Sequence, residues 1–593
     1  MINKFKVIVV DLSKSKSALE YFDTRDKWLG GSGLAAGLFS HYGLMDEDPF
    51  HPDQPVILAI GPLTAYFPLM SKTILGFMSP YNGQYAESHA GGRSALALRF
   101  TGYDALVIRG KAKRPVCLAL GSQEVHVQDV HFLQGMDIFK TGKRMRNLKP
   151  RNPGHRSILR IGPAGENLVR FACINVDTYR HFGRLGGGAA MGAKNLKGII
   201  LSGDSHEDLD PGISKEYVKI YNEIYQTVVQ SGAVRKYHDL GTPENLIPLN
   251  ELKALPWRNL QSTHDPEVGA VSGERFAEEL LLRQVACAGC PVGCIHIGLL
   301  RERFGEEHEY LYRQVSYDYE PIFGMGTMLG VASGPGVLTL LEDVEKLGMD
   351  AISAGVALAW ATEALDKGVV SENETMVRME FGNVEAYRKG LEYLAWQPNE
   401  FYRTLALGTM AAAEKYGGED FACVLGQEMA GYATGENYYV SQALGFRHSH
   451  LDTGAYSFDQ EKDSKDIQKA IDFMQDQENY RVLMCSMAGC LFGRKAYPEE
   501  TILKALNSLG FNYNKQELRD VVENIKAHRW ALKFRTGFKP EEIKIPARYL
   551  EVETWKGKTD PGYMNQLKKT YQQVLQEMAA KYIDESEEKN EPS

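Results

Sequence analysis

The chain has 593 residues, of which 44% are hydrophobic and 24% charged, and its formal net charge is −9. That length exceeds what one hydrophobic core organises, so two to four globular domains are expected. The mild acidity argues against a nucleic-acid or anionic-membrane partner, and no apolar run approaches the roughly 18 residues that a bilayer span needs.

Met1 to Asp11 is an apolar run of strand length, too short and too quickly polar for a secretory leader. It is expected to be a first strand, in a cytoplasmic protein. Val56–Leu63 reads as a buried strand ending in a turn, and Tyr103–Gly110 and Val116–Leu120 as two more, separated by a basic turn. Gly198–Gly203 closes this β-rich, glycine-rich region, and the polar stretch Asp204–Asp208 marks a boundary. From about Ser214 the pattern turns helical. Gly334-Pro335-Gly336 starts a helix on which Val337, Leu338, Leu340, Leu341, Val344 and Leu347 recur at helical spacing, and Ala351 to Leu365 is a second apolar helix. After about residue 420 the chain is again mostly helical, up to an acidic tail from about Asp584 whose charge density predicts disorder. The expected fold class is α+β: a β-rich N-terminal domain over residues 1–207, then two mostly α-helical domains over 208–420 and 421–593.

Of eight cysteines, Cys117, Cys173 and Cys423 stand among apolar neighbours and read as buried, inert thiols. Cys287-Ala288-Gly289-Cys290-Pro291-Val292-Gly293-Cys294 is different. It places three soft thiolate ligands within eight residues, with small neighbours that let the backbone curl until the sulfurs converge. An iron–sulfur cluster and a structural zinc are both open at this point. No nearby residue completes a usual zinc spacing, since His296 lies only two residues past Cys294. A cluster requires a fourth, distant ligand, which Cys485 or Cys490 could supply.

A series of motifs then accumulates in a fixed order. Gly30-Gly31-Ser32-Gly33-Leu34-Ala35, Ile60-Gly61-Pro62-Leu63-Thr64, Gly91-Gly92 and Phe100-Thr101-Gly102-Tyr103-Asp104-Ala105 come first. Ile161-Gly162-Pro163-Ala164-Gly165-Glu166-Asn167-Leu168, Gly192-Ala193-Lys194-Asn195-Leu196-Lys197, the cysteine motif and Leu347-Gly348-Met349-Asp350 follow. In this order they resemble the aldehyde:ferredoxin oxidoreductases over nearly the whole chain. The resemblance implies a β-rich base carrying two pterins, covered by two helical domains, with the cofactors at the domain interface. It also implies tungsten or molybdenum held by the dithiolene sulfurs of both pterins, and a [4Fe–4S] cluster nearby that takes electrons out. The implied cluster ligands are Cys287, Cys290, Cys294 and Cys490.

Pterin phosphates bring negative charge that needs donors or a cation, and glycine-rich turns supply free N–H groups and close approach. The stretch Gly183-Arg184-Leu185-Gly186-Gly187-Gly188-Ala189-Ala190-Met191-Gly192 reads as such a loop, with Arg184 and Arg180 as charge partners. The family pattern puts Lys72 where an Arg contacts pterin phosphate, and His89 where an Asn helps hold a Mg²⁺ bridging the phosphates. Lys72 keeps the charge without the planar fork, and His89 places the magnesium site in question. Two Asp-x-x-Gly-Leu-Cys/Asp motifs bind the pterins. The first appears as Glu345-Lys346-Leu347-Gly348-Met349-Asp350; in the second, Cys485-Ser486-Met487-Ala488-Gly489-Cys490, Cys485 replaces the Asp.

The family's active-site Glu aligns with Glu320, whose pKa burial beside a metal is expected to raise. Its active-site His has no clean counterpart: the register puts Tyr456 there, with His448 and His450 just upstream. The expected activity is oxidation of an aldehyde to a carboxylic acid, with electrons passing to ferredoxin or a dedicated iron–sulfur subunit, in a chain that is a candidate homo-oligomer. Two alternatives stand beside it. One is low-potential reduction of acids or activated aromatic rings with the same cofactors, and the other is a non-catalytic electron-transfer or redox-sensing subunit.

Overall fold

The computed structural model describes residues 4–148, 154–205, 211–230, 232–306, 308–461 and 464–588. Part of the polar boundary at Asp204–Asp208 and the end of the acidic tail lie outside them.

Strands β1 (Lys4–Asp11), β2 (Lys16–Thr24), β3 (Val56–Ala59), β4 (Thr73–Met78), β5 (Tyr85–Ala90) and β6 (Ala105–Arg109) form one sheet, in spatial order β2-β1-β6-β3-β4-β5. A second sheet takes β7 (Val116–Gly121), β8 (Val125–Asp129), β9 (His155–Arg160), β10 (Ile174–Val176), β11 (Arg180–Phe182) and β12 (Leu196–Gly203), in order β11-β10-β9-β12-β7-β8. The two sheets share a core. Ile8, Val10, Leu58, Leu106 and Ile108 of the first pack with Leu118, Leu120, Leu159, Ile199 and Leu201 of the second. Their alternates Val7, Ile57, Ala59 and Val107 point the other way, into the core built with the helical part of the chain. Burial on both faces is why the inner strands read as continuous apolar runs rather than as alternation.

The helices expected at Gly334 and Ala351 form as Gly334–Leu347 and Ala351–Asp366. Ser333 caps the first by accepting from Gly336 N at 3.3 Å; Gly348, at φ +79°, ends it; and Asp350 caps the second by accepting from the N–H groups of Ile352 and Ser353, each at 3.1 Å.

Two features differ from expectation. The segment read as helical from residue 208 contains a three-stranded antiparallel sheet, β13 (Leu281–Val285), β14 (Ile295–Arg303) and β15 (Tyr310–Tyr317). The cysteine motif is the β13–β14 connection, and β15 runs back antiparallel to β14, pairing Tyr317 with His296. The chain then enters the helix Tyr319–Met325, so Cys294 and Glu320 come out at the same end of the sheet. The acidic tail is also helical where it is described: the helix from Pro561 runs through Glu588, because Leu567, Tyr571, Leu575 and Ala579 anchor one buried stripe from which it extends. Among the described residues no single helix is long and apolar enough to cross a membrane.

Candidate active site

The two cysteine-bearing loops are tied together by the segment Leu69–Lys72. Leu69 N–H donates to Gly289 O at 3.2 Å, Leu69 O accepts from Cys490 N at 3.0 Å, and Lys72 N–H donates to Ala488 O at 2.9 Å. The first loop also rests on the β-rich base: Ala288 N–H donates to Gly92 O at 3.0 Å, and Gly92 N–H to Cys287 Sγ at 3.2 Å. A side chain at Gly91 would begin 2.7 Å from the Cys287 sulfur, so only glycine admits this approach. Gly289 and Gly293 take positive φ, +70° and +66°, which curls the loop.

Cys287, Cys290, Cys294 and Cys490 thus border one cavity of about 330 Å³. Among the described residues no three His, Cys, Asp or Glu side chains close tightly around a single point; the four thiols surround a space. Burial, and then the charge of neighbouring thiols, pushes Cys290 well up and Cys294 to about 12, the latter against the pull of Arg180. Four thiolates in this position need a cationic partner, and iron of a cluster suits that donor set. Cys117, Cys173 and Cys423 are buried away from it, and His296 turns inward to the carbonyls of His238 and Asp239.

Cations line the same cavity. Lys72, Arg180, Arg184 and Arg447 all face it, with Gly183 on its wall, where a side chain would meet open space. Arg180 pairs with Asp318 at 3.1 Å. Burial would depress its pKa, but Asp318, Cys287 and Cys294 raise it further than burial lowers it. Arg184 pairs with Asp350 at 3.1 Å and donates to Glu428 O at 2.7 Å, while its Nη1 is buried with no hydrogen-bond partner among the described residues. Gly186, at φ +83°, lets this loop turn beneath the Arg170 carbonyl. A second cavity of about 150 Å³ shares Arg180, Gly183, Asp318 and Ile352 with the first and is lined by Glu345 and Asp350. Glu345 sits 3.4 Å from both Asn175 Nδ2 and His181 Nε2. The Glu345–Asp350 motif therefore borders one cavity and Cys485 the other. The unpartnered Nη1 of Arg184, one of four cations around a glycine-lined space, fits a large anionic cofactor.

His89 does not fit a magnesium ligand. Its Nδ1 lies 3.2 Å from Arg447 Nη1 and 3.6 Å from Cys485 Sγ, and its Nε2 is 3.3 Å from Glu87. A hard cation takes oxygen ligands; of these neighbours of His89 the Glu87 carboxylate offers them, and it is already bound by Arg529 and Ser32. Burial disfavours the Cys485 thiolate, yet His89 and Arg447 outweigh it and hold the thiol below its ordinary range.

Glu320 faces the cavity from the start of its helix. His450 Nε2 is 3.1 Å from its Oε1, and Tyr432 OH donates to the same oxygen at 3.0 Å. Burial pushes the carboxyl up, but the hydrogen bond and charge of His450, with Tyr432, bring it below the ordinary glutamate range. The expected rise does not occur, because Glu320 has a partner on each side. His448 is separated from this centre: its Nε2 lies 3.1 Å from Lys533 Nζ and its Nδ1 3.0 Å from Ala443 O, and burial, with Lys533, holds it neutral with a pKa near 3. Tyr456 stacks on Tyr432 at 4.6 Å, one ring removed from Glu320. Arg447, Asp318 and Tyr432 were not singled out by their sequence. Arg447 adjoins the histidine run and could have been; nothing local marks Tyr432.

A β base, a cation-lined cavity and four thiols on its border suit a redox enzyme, with room for a large anionic cofactor beside a thiol-ligated metal group. The pattern of the aldehyde ferredoxin oxidoreductase N-terminal domain matches residues 7–203, and that of domains 2 and 3 matches residues 219–584. The chain belongs to the aldehyde ferredoxin oxidoreductase family, whose members are tungsten- or molybdenum-pterin oxidoreductases. It is 29% identical over 579 residues to the tungsten-containing aldehyde ferredoxin oxidoreductase of Pyrococcus furiosus, covering 92% of this chain and 91% of that one. It is also 31% identical over 432 residues to an aliphatic sulfonate oxidoreductase, WOR-like subunit, of the same organism, covering 69% and 67%. The fold superimposes on the active site complex BamBC of benzoyl coenzyme A reductase with 1,5-dienoyl-CoA, at a TM-score of 0.79, 20% identity and 96% and 95% coverage. At that identity the likeness speaks for the fold.

Proposed function

We propose that this protein oxidises an aldehyde to a carboxylic acid, RCHO + H2O → RCOOH + 2 e⁻ + 2 H⁺, and passes the electrons through a [4Fe–4S] cluster to a ferredoxin or a dedicated iron–sulfur subunit. The observation that carries this reading is the Glu320–His450 pair, 3.1 Å apart, on the wall of the cavity that the four cysteines border. Cys287, Cys290, Cys294 and Cys490 would hold the cluster. Lys72, Arg180, Arg184 and Arg447 would face the anionic groups of the pterins, which Gly91, Gly92, Gly183 and Gly186 let approach. The ends of the two pterins would meet Glu345, Gly348 and Asp350 on one side and Cys485 on the other.

When bound, the pterin-held metal supplies a Lewis acid and a two-electron acceptor. The chain itself handles the proton. Glu320, held ionised by its partners, is placed to take a proton from the water that attacks the carbonyl carbon. Tyr432 and His450 fix the accepting oxygen and stabilise its charge.

The test is anaerobic purification, elemental analysis for W, Mo and Fe, and dye-linked assay against aldehydes, with acids and acyl thioesters assayed in the reducing direction. Full metal and iron with no aldehyde-dependent dye reduction would overturn the proposal. Turnover of acids or thioesters alone would replace it with the low-potential reductase.

A further inference from the structure

The helix Ile138–Met145 packs on the second sheet through Met145, which meets Ile158 of β9. Beside it lies a third cavity, of about 490 Å³, which shares no lining residue with the two described above. Its charged lining is Arg93, Lys143, Arg146, Arg156 and Arg160 against one carboxylate, Asp177. In a chain whose net charge is −9, this gathering of cations runs against the overall charge. Asp177 is already committed. It accepts from Arg93 N and Ile158 N, each at 3.2 Å, and from Ser157 Oγ at 3.1 Å, and its carboxylate lies 3.6 Å from Arg93 Nε. Among the described residues Lys143, Arg146 and Arg160 make no ion pair.

Arg160 is the recessed member of the set. It is 3% exposed, and its hydrogen bonds go to neutral carbonyls, Nε to Ile138 O at 2.5 Å and Nη1 to Ile158 O at 3.4 Å. Gly142 makes room for it, since a side chain there would begin 2.6 Å from the guanidinium carbon. Burial pushes this guanidinium down to about 10, against the pull of Asp177 and Glu345. Lys143 and Arg146 are exposed at the rim. Basic residues at a helix C-terminus commonly serve its free carbonyls, but here Arg156 does so, donating to Met145 O at 3.1 Å, Arg146 O at 3.0 Å and Leu148 O at 3.2 Å. A buried cation without a counterion costs stability unless an anion completes it. The face of another protein would meet the rim and not the recessed guanidinium. A small anion reaches both, and guanidinium and ammonium groups together suit phosphoryl oxygens. Half-buried Phe139 adds a flat apolar wall of the kind on which a nucleic-acid base stacks.

We propose that this cavity binds a small oligophosphate, one phosphoryl group on Arg160 and the next on Lys143 and Arg146, and that a nucleoside diphosphate with its base against Phe139 is the form it takes. The site is separate from the redox cavity and does not rest on the function proposed above. Binding of ADP, pyrophosphate and orthophosphate is measured by titration calorimetry and by the rise in Tm that a ligand of the folded state produces. Metal- and iron-loaded enzyme is used, so that the cations of the redox cavity are occupied. ADP and pyrophosphate should bind more tightly than orthophosphate, and their affinity should fall as salt rises. Replacing both rim residues, Lys143→Ala with Arg146→Ala, should weaken both ligands by about tenfold or more and leave the ligand-free Tm unchanged, since both positions are exposed. Arg160→Met should weaken them by about 10- to 100-fold, the range of a lost charge-assisted hydrogen bond. Phe139→Leu should weaken ADP and spare pyrophosphate; equal affinity for the two ligands, unmoved by Phe139→Leu, would keep the phosphate site with inorganic diphosphate as its ligand. No binding of either at millimolar concentration, or binding unchanged in the double rim variant, would overturn the site. If the enzyme binds no oligophosphate and the double variant loses electron transfer to an acidic ferredoxin, the cations belong to a protein interface and the proposal falls.

Discussion

His450 Nε2 lies 3.1 Å from Glu320 Oε1, although the two residues arrive from segments far apart in the chain. The pairing keeps the carboxylate ionised at neutral pH despite its enclosure, and makes the histidine the main group that holds its charge.

Glu320→Gln keeps size and shape but removes the base. A positioned general base contributes on the order of 10²–10⁴ in rate, so kcat should fall by that factor while W or Mo and Fe per chain stay at wild-type levels. Wild-type kcat in this variant would make Glu320 a structural residue.

His450→Asn removes the chief influence holding Glu320 down and leaves burial, which pushes it up. In the wild type the acidic limb of the kcat–pH profile should lie below the ordinary glutamate range, because a depressed carboxyl stays ionised until pH falls through its own pKa. In the variant this limb should move to higher pH. His448→Asn disturbs the contact with Lys533 and should lower Tm without moving the limb; a shift there instead would exchange the roles of the two histidines.

Cys287→Ser and Cys490→Ser should each lose iron and the reduced-state EPR signal, since a hydroxyl is a poor ligand for iron. Cys485→Ser should keep both, because Cys485 faces His89 and Arg447. The reverse pattern would show that the register of this loop is wrong.

The buried pair Glu87–Arg529 joins the β base to the C-terminal helical region, with bonds of 2.7 and 3.1 Å, a third bond from Ser32 Oγ at 2.7 Å and the Arg529 guanidinium 3.8 Å from the Phe446 ring centre. Arg529→Met leaves Glu87 buried without its guanidinium, with only His89 and the hydroxyls of Ser32 and Tyr85 beside it, and should cost about 3–5 kcal/mol, read as a drop in Tm. Burial opposes ionisation of Glu87, yet Arg529 and His89 hold it far below its ordinary value of 4.5. Its contribution to stability is therefore complete above that value and is lost as pH falls towards the folded pKa. A wild-type denaturation midpoint that is flat from pH 6 to pH 3, or that rises over that range, would contradict this.

Local patterns carried much of this protein into view. The apolar runs at Val56 and Val116 and the helical spacing after Gly334 are short-range signals, and each formed the element it indicated. The three-stranded sheet that carries the cysteine loop was harder to see, because β15 is largely unburied along its first half and shows little apolar alternation. The choice between His448 and His450 could not be made from sequence at all. Two residues apart, they would share a face in an extended strand, but His448 takes φ +50° in a tight turn, which points its ring at Lys533 while His450 points at Glu320. That turn, and the partners at its two ends, exist only once the helical regions have closed over the β base.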